Sequence, residues 1–406
     1  MQLSDGLMLP VVDIDKCIEC LLCLRCCPGF SLDFVRMNDE VFGKQPEDVF
    51  LGGLVECYVG HSTDPRMRSA CSSGGVVGQL LVYALENRVI DGVVVVRMRE
   101  DDPLRPEPFV ARTREEVLTG SRAKYCPVAP NVVLDTLMAE KGRFAVVGLP
   151  CHIHGIRKAE GVFKSLKDKI VLHVGLFCGH TIDFRATGLL LRKLHVHEDE
   201  VARLNYRGNG WPDSMRIELK DGRSVRLRFN RGWYAYWNVF SPFFFTPLRC
   251  MMCPDQFNEL SDVSVGDAWL PEFRRKVSGE SVIVARTEVA ADLLIGMEER
   301  GLLSLKPVSS GKVKESQAFG LNYKKQNLSS RLSFFRRFGR NVPRILPEPR
   351  PSVVPAYAGA FLSCVSLYFS SHKRLRSLLQ YVPLPLFRLY FGLFKSVFLL
   401  SGQGRC

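Results

Sequence analysis

The opening residues, Met1-Gln2-Leu3-Ser4-Asp5, lack the basic and apolar regions of a secretory leader, which predicts a reducing, cytoplasmic compartment. A disulfide framework fits such a compartment poorly. The fourteen cysteines of this 406-residue chain therefore point to metal or redox chemistry. Long apolar runs are scarce as well. Residues 356–371 are mostly apolar, but as a helix they make only about 24 Å against a hydrocarbon layer of ~30 Å. Acids are nearly missing from one end: residues 331–406 hold twelve Lys/Arg and a single acid, Glu348. That end carries +11 of the net +13, so the rest is almost neutral and the basic appendage has a partner of its own. Nothing in the neutral body resembles a reader of bases, which argues against nucleic acid as that partner. With 46% hydrophobic and 24% charged residues, the composition is that of a globular protein, long enough for two or three domains.

What is present begins with Cys17-Ile-Glu-Cys20-Leu-Leu-Cys23-Leu-Arg-Cys26-Cys27-Pro28. Three cysteines at steps of three, then a fourth followed by proline, is the ferredoxin spacing for a [4Fe–4S] cluster. Zinc sites more often pair two distant CxxC knuckles. In two-cluster ferredoxins the cysteine before the proline ligates the other cluster, and no second copy of the motif follows here. The fourth ligand is therefore Cys27, its neighbour Cys26 or the distant Cys57, and Cys57 reads equally well as a small apolar filler. Residues 1–60 form a small iron–sulfur module with loose connections, where Gly52-Gly53 and Gly60 suit loops.

Further on, Arg68-Ser-Ala-Cys71-Ser72-Ser73-Gly74-Gly75 leads into a helical pattern over Val76–Asn87, and Asp91-Gly-Val-Val-Val-Val into a buried strand. Small residues opening a helix either let a phosphate approach free backbone N–H groups or simply make a capped turn. Arg143-Phe-Ala-Val-Val-Gly148-Leu-Pro150-Cys151-His152 reads as a strand, a turn and a helix through Lys158. Lys169 to Gly179 again brings an apolar strand to a cysteine, Cys178. Strands alternating with helices predict a largely parallel α/β sheet, whose ligands sit at the carboxyl ends of the strands; both cysteines would lie there. A hairpin follows at Met215–Leu219 and Ser224–Phe229 around Asp221-Gly222. Cys250-Met-Met-Cys253 is half a chelating site, and with Cys151 and Cys178 it makes four thiolates, enough for a second cluster. A strand at Ser281–Arg286 and a helix at Glu288–Glu299 complete the body near residue 325.

Taken together, Arg68 with Ser72 to Gly75, Ser121 to Pro127, Gly148 to His152, Gly175 to Gly179, Tyr206 to Pro212, Arg249 to Asp255 and Gly266-Asp267-Ala-Trp269 resemble, in order, the coenzyme F420 hydrogenase/dehydrogenase beta-subunit family. The resemblance spans roughly residues 10–330. It implies an iron–sulfur flavoprotein with bound FAD and with the deazaflavin coenzyme F420 as hydride partner; related members instead take electrons from ferredoxin to reduce tetrapyrroles. By the same resemblance Arg68, Ser72, Ser73, Gly74 and Gly75 would line the flavin with Lys124 and Tyr125 nearby. Cys151, Cys178, Cys250 and Cys253 would hold a flavin-proximal cluster, beside the one at Cys17, Cys20, Cys23 and Cys27. His152, His154, Asp255 and Asp267 are read as satisfied structural groups.

The expected architecture is mixed α/β: a ferredoxin-like module (1–60), a flavin-binding α/β body (61–325) and a basic helical tail (326–406). In the tail, Lys324-Lys325 opens a segment with Arg331, Arg336 and Arg337 among Phe334, Phe335 and Phe338, and a run of prolines interrupts it. Leu384–Leu400 sets Arg388 and Lys395 on one helical face and its leucines and aromatics on the other. That pattern suits a helix lying in a membrane interface, where each exposed cation adds about 1 kcal/mol near an anionic leaflet; packing on the body or a partner subunit is the alternative. Three functions are consistent with these residues. They are an F420-linked oxidoreductase working with a redox partner protein, a ferredoxin-linked reductase of an organic or membrane-borne substrate, and a relay subunit or zinc scaffold without a substrate.

Overall fold

The computed structural model describes residues 1–208, 210–212, 214–273 and 276–400; Asn209 of the Tyr206–Pro212 segment and residues 401–406 of the tail lie outside them. An eight-stranded sheet is built from β1 (Glu56–Ser62), β2 (Gly92–Met98), β3 (Pro106–Ala111), β4 (Phe144–Gly148), β5 (Ile170–Leu176), β6 (Val263–Asp267), β7 (Ser281–Ala285) and β8 (Leu303–Pro307). Its order is β8-β1-β7-β6-β5-β4-β2-β3. The largely parallel sheet expected from the sequence is parallel only across its centre, β2-β4-β5-β6. Both flanks are antiparallel, because β3 returns directly beside β2 and β1 slots between β7 and β8. Gly60, read as a loop glycine, stands inside β1, where a Cβ would lie 2.4 Å from the Ser304 carbonyl oxygen.

Alternate residues of each buried strand serve opposite faces. Val93 and Val95 pack with the helices α2 (Val76–Glu86) and α4 (Glu288–Glu299), whereas Val94 packs with Phe144, Ile153 and Ile156 around α3 (Pro150–Glu160). The sheet is thus covered on both sides, which its continuous apolar strands require. Residues 201–205, 214–219 and 224–228 form a separate antiparallel sheet that contains the expected hairpin.

The tail lies on this body. Its helices are α5 (Leu328–Arg337), α6 (Val354–Ser371) and α7 (Leu384–Leu400), and Arg344–Leu346 pairs in parallel with Ser31–Asp33. Helix α6 is longer than expected, about 27 Å, and by length and composition it alone among the described helices passes as a membrane span. A third of it is buried, through the small residues Ala356, Gly359, Ala360, Ser363, Ser366 and Ser370. On α7 the expected division of faces is corrected. Phe387 and Phe394 turn inward, while Leu386, Leu389 and Leu393 are exposed on the side of Arg388 and Lys395. The phenylalanines fill the gap between tail and body, against Phe243 and Phe244, and the smaller leucines are left outside.

Candidate functional site

Strand β4 ends at Gly148 and β5 at Leu176, adjacent and parallel, so Cys151, in the first turn of α3, and Cys178 emerge from neighbouring carboxyl ends as the sequence predicts. The short turn Leu248–Met251 carries Cys250, and Cys253 follows it. Asp255 then organises the chain: Oδ1 accepts from the N–H groups of Phe257 and Asn258, and Oδ2 from that of Glu259 and from His154 Nε2 at 2.8 Å. Asn258 Nδ2 in turn donates to the Gly148 and Leu176 carbonyls, pinning the CxxC segment to the ends of β4 and β5. Gly175 permits this, since a Cβ there would stand 2.5 Å from the Asn258 side chain. Asp255 and His154 are fully buried; the Asp255 carboxylate is satisfied by these bonds, while His154 Nδ1 has no hydrogen-bond partner.

The four thiols are within electrostatic reach of one another. Burial pushes Cys151 up to about 12, with Cys253 and Cys250 adding to the effect. Cys178 is raised further by burial, against the pull of Lys324 and with the push of Cys250, Cys151 and Cys253. Such thiols stay protonated unless a metal replaces the proton. Among the described residues no three His, Cys, Asp or Glu side chains close on a single point as one metal ion demands.

Cations crowd this set. Lys324, 1% exposed, donates from Nζ to the Cys253 sulfur at 3.4 Å and to the Asp255 carbonyl oxygen at 2.6 Å. Arg331, equally buried, donates to the Met251 carbonyl and lies 3.6 Å from the Tyr323 ring centroid, and its Nη2 has no hydrogen-bond partner. Arg249 likewise has a buried Nη1 without a partner. Buried cations beside neutral thiols are costly. Four thiolates on an iron–sulfur cluster supply the missing negative charge, so the donor set and its surroundings fit an anionic cluster. Lys324 and Arg331, read from the sequence only as members of a basic segment, are interior groups beside the CxxC knuckle.

The N-terminal motif sits on the same elements. Left-handed Glu19 and Leu21 curl the loop into α1 (Leu22–Cys26). Cys17, Cys20, Cys23 and Cys27 are exposed and Cys26 is partly buried. Lys158 on α3 donates to the carbonyls of Cys27 and Ser31, and Arg249 donates to that of Pro28 at 2.8 Å. Cys57 is elsewhere. It is buried in β1 among Leu51, Val59, Val282 and Val284, which is the filler reading.

At the other expected site, Gly75 (φ +77°) caps α2. Ser73 Oγ donates to the Glu280 carbonyl, the Gly74 N–H to Ser281 Oγ, and Arg68 to the Gly279 carbonyl. These are the bonds of a capped turn fastened to β7. Lys124 caps the carbonyls of Gly120, Ser121 and Arg122, and burial pulls its pKa to about 7. Ser72 and Tyr125 are brought together by Arg207, which donates to the Ser72 carbonyl and to the Tyr125 hydroxyl and pairs with both oxygens of Asp267. Trp211 Nε1 also donates to Asp267, at 2.8 Å. Tyr125 stacks on Phe229 and meets Trp237; burial raises its pKa, and Cys178 is close enough to add a smaller push. The residues expected to line a flavin thus come within electrostatic reach of the thiol set. Arg207 was legible only as part of a motif; Lys324 and Arg331 gave no signal.

Comparison with known proteins adds the following. Residues 57–134 match the family model described as coenzyme F420 hydrogenase/dehydrogenase beta subunit, N-terminal part, and residues 141–311 the C-terminal part. The coenzyme F420 hydrogenase subunit beta of Methanothermobacter thermautotrophicus is 28% identical over 271 residues, which is 64% of this chain and 88% of that one. The coenzyme F420-dependent sulfite reductase of Methanocaldococcus jannaschii is 26% identical over 337 residues, 73% of this chain and 48% of that one. A chain of the F420-reducing [NiFe] hydrogenase complex from Methanosarcina barkeri shares the fold with a TM-score of 0.57 at 21% identity, over 74% of this chain and 99% of its own.

Proposed function

This chain belongs to the coenzyme F420 hydrogenase/dehydrogenase beta-subunit family, and we propose that it is an iron–sulfur flavoprotein oxidoreductase linking coenzyme F420 to a protein partner. When bound, FAD would exchange a hydride with F420 and give or take electrons singly through two [4Fe–4S] clusters. Cys151, Cys178, Cys250 and Cys253 would hold the inner cluster; Cys17, Cys20, Cys23 and Cys27 would hold the outer one. The observation that carries this reading is the convergence of four thiols, Cys253 buried and Cys151, Cys178 and Cys250 partly so, with the buried Lys324 ammonium, an arrangement that suits four thiolates on a metal cluster.

The chain's own residues would do the rest. Arg68, Ser72, Ser73, Gly74 and Gly75 present the turn at α2 to the flavin, with Lys124 shaping the neighbouring loop. Arg207, fixed by Asp267, holds Tyr125 and the Ser72 carbonyl in one place. The aromatic group of Tyr125, Phe229 and Trp237 excludes water between that turn and Cys178. In this reading residues 1–60 carry electrons to the partner, 61–325 house the flavin, and 326–406 attach the protein peripherally to the cytoplasmic face of an anionic membrane. The exposed leucines and cations of α7 support that last assignment, and residues 349–406 contain no acid.

The test is to add reduced F420 to anaerobically purified protein, with FAD, iron and sulfide measured in the same sample. Bleaching of the flavin with about eight irons per chain is expected. Cofactors present but unreduced by F420 would overturn the F420 assignment in favour of a ferredoxin-linked reductase.

A further inference from the structure

Residues 322–326 form a π-helical turn between the short helix Ala318–Leu321 and α5. One such turn inside a helical run re-aims the side chains that follow it, and π-turns are frequent at functional sites. Here it sends two consecutive lysines to different places. Lys325 pairs with Glu259 at 2.6 Å, while Lys324 enters the thiol set. The Lys324 ammonium makes two described hydrogen bonds, to the Asp255 carbonyl and to the Cys253 sulfur. The Asp255 carboxylate is already engaged by His154 and three backbone N–H groups. With that carboxylate so engaged, the side-chain atom that the described bonds give the ammonium is the Cys253 sulfur.

We propose that Lys324 sets the reduction potential of the inner cluster by keeping a fixed positive charge on the Cys253 side of it, an inference that rests on the cluster reading above. Reduction of a cluster adds one negative charge, and hydrogen bonds to the sulfurs and nearby charge are recognised determinants of its potential. A cation in hydrogen-bond contact with a ligand sulfur favours the reduced form, and burial keeps the effect from being screened by salt. Lys324 is a tuning residue that acts through Cys253. It lies outside both matched family segments.

The experiment uses the full chain, reconstituted anaerobically with iron and sulfide, as native protein, Lys324→Met and Lys324→Arg. Iron and sulfide are counted, and each cluster is titrated by electron paramagnetic resonance at low and high salt. In Lys324→Met the inner cluster's reduced-to-oxidised ratio at a fixed poise is expected to fall at least tenfold, a shift of 59 mV or more to the negative for a one-electron couple. Lys324→Arg should stay near native, the outer cluster should not move, and the difference should persist at high salt. Equal potentials in Lys324→Met and native protein, with both clusters present, would overturn the inference and leave the cluster reading intact. If Lys324→Met loses the inner cluster, its retention in Lys324→Arg supports a charge requirement, and its loss in both overturns tuning in favour of packing. Native protein that takes up only the outer cluster would overturn both.

Discussion

Arg249 Nη2 donates to the Pro28 carbonyl oxygen at 2.8 Å, which ties the residue before Cys250 to the residue after Cys27. A Cβ on Gly29 would stand 3.2 Å from the Arg249 Nε and 3.3 Å from the Cys27 sulfur, so the guanidinium fills the space between the two cysteine groups. Replacing it by glutamine should leave iron, sulfide and FAD near native while slowing electron passage to the N-terminal motif. Small misplacements of reacting groups cost up to about a hundredfold. Stopped-flow reduction by F420, with the flavin and the two clusters followed separately, would see normal flavin bleaching and a delayed outer cluster.

Arg207 and Asp267 form a bidentate pair with side-chain exposures of 3% and 16%. Removing one partner of such a buried pair costs about 3–5 kcal/mol. Arg207→Leu should lower the thermal midpoint strongly and release FAD, whereas Arg207→Lys should keep part of both. Retention of native FAD content in Arg207→Leu, measured after gel filtration, would detach this pair from the flavin site.

Asp262 accepts from Arg157 at 3.1 Å and from the His173 backbone N–H at 2.6 Å. Burial alone would raise its pKa, but the His173 hydrogen bonds and the Arg157 charge hold it at about 2. Its folded value lies below the unfolded one, so its contribution is present above about pH 4 and is lost as pH falls toward 2. Two units correspond to roughly 2–3 kcal/mol. Urea midpoints of native and Asp262→Asn protein should differ at pH 7, by about half as much near pH 3, and converge toward pH 2. A gap that stays constant with pH would rule out the charge as its source.

Cys57→Ala should cost a little stability and leave the iron and sulfide content unchanged, because Cys57 packs among aliphatic residues of β1 and β7. Cys27→Ser should remove the outer cluster alone. Loss of four irons in Cys57→Ala would instead make Cys57 the fourth ligand.

The two faces of α7 should respond differently. Phe394, fully buried, is expected to cost about 3–5 kcal/mol as alanine. Leu389→Glu with Leu393→Glu should leave the unfolding midpoint unchanged and reduce co-sedimentation with vesicles rich in phosphatidylserine. Vesicle binding by neither the native nor the double variant would return the exposed leucines to a protein partner.

Much of the fold is legible wherever a short stretch of chain determines its own environment. Lys169 to Gly179 is a continuous apolar run closed by glycine and cysteine, and it is β5 with Cys178 at its end. The hairpin around Asp221-Gly222 is equally local. The antiparallel flanks are not legible, because the pairing of β1 with β7 and β8 joins residues more than two hundred positions apart and leaves no periodic trace in either. Lys324 is the sharpest case. A lysine pair reads as solvated surface, and only the return of the chain beside Cys253 makes one of the two an interior group.

The parallel pairing of Ser31–Asp33 with Arg344–Leu346 bears on maturation. Contacts this far apart in sequence form late, and domains fold as the chain is synthesised from its N-terminus. The segment that fastens the first cysteine motif leaves the ribosome more than three hundred residues after the motif itself. Until then the motif is held by the body alone, through the hydrogen bonds of Lys158 to Cys27 and of Arg249 to Pro28. A cluster bound at Cys17, Cys20, Cys23 and Cys27 would gain its last fastening from the tail strand, after translation has passed Leu346.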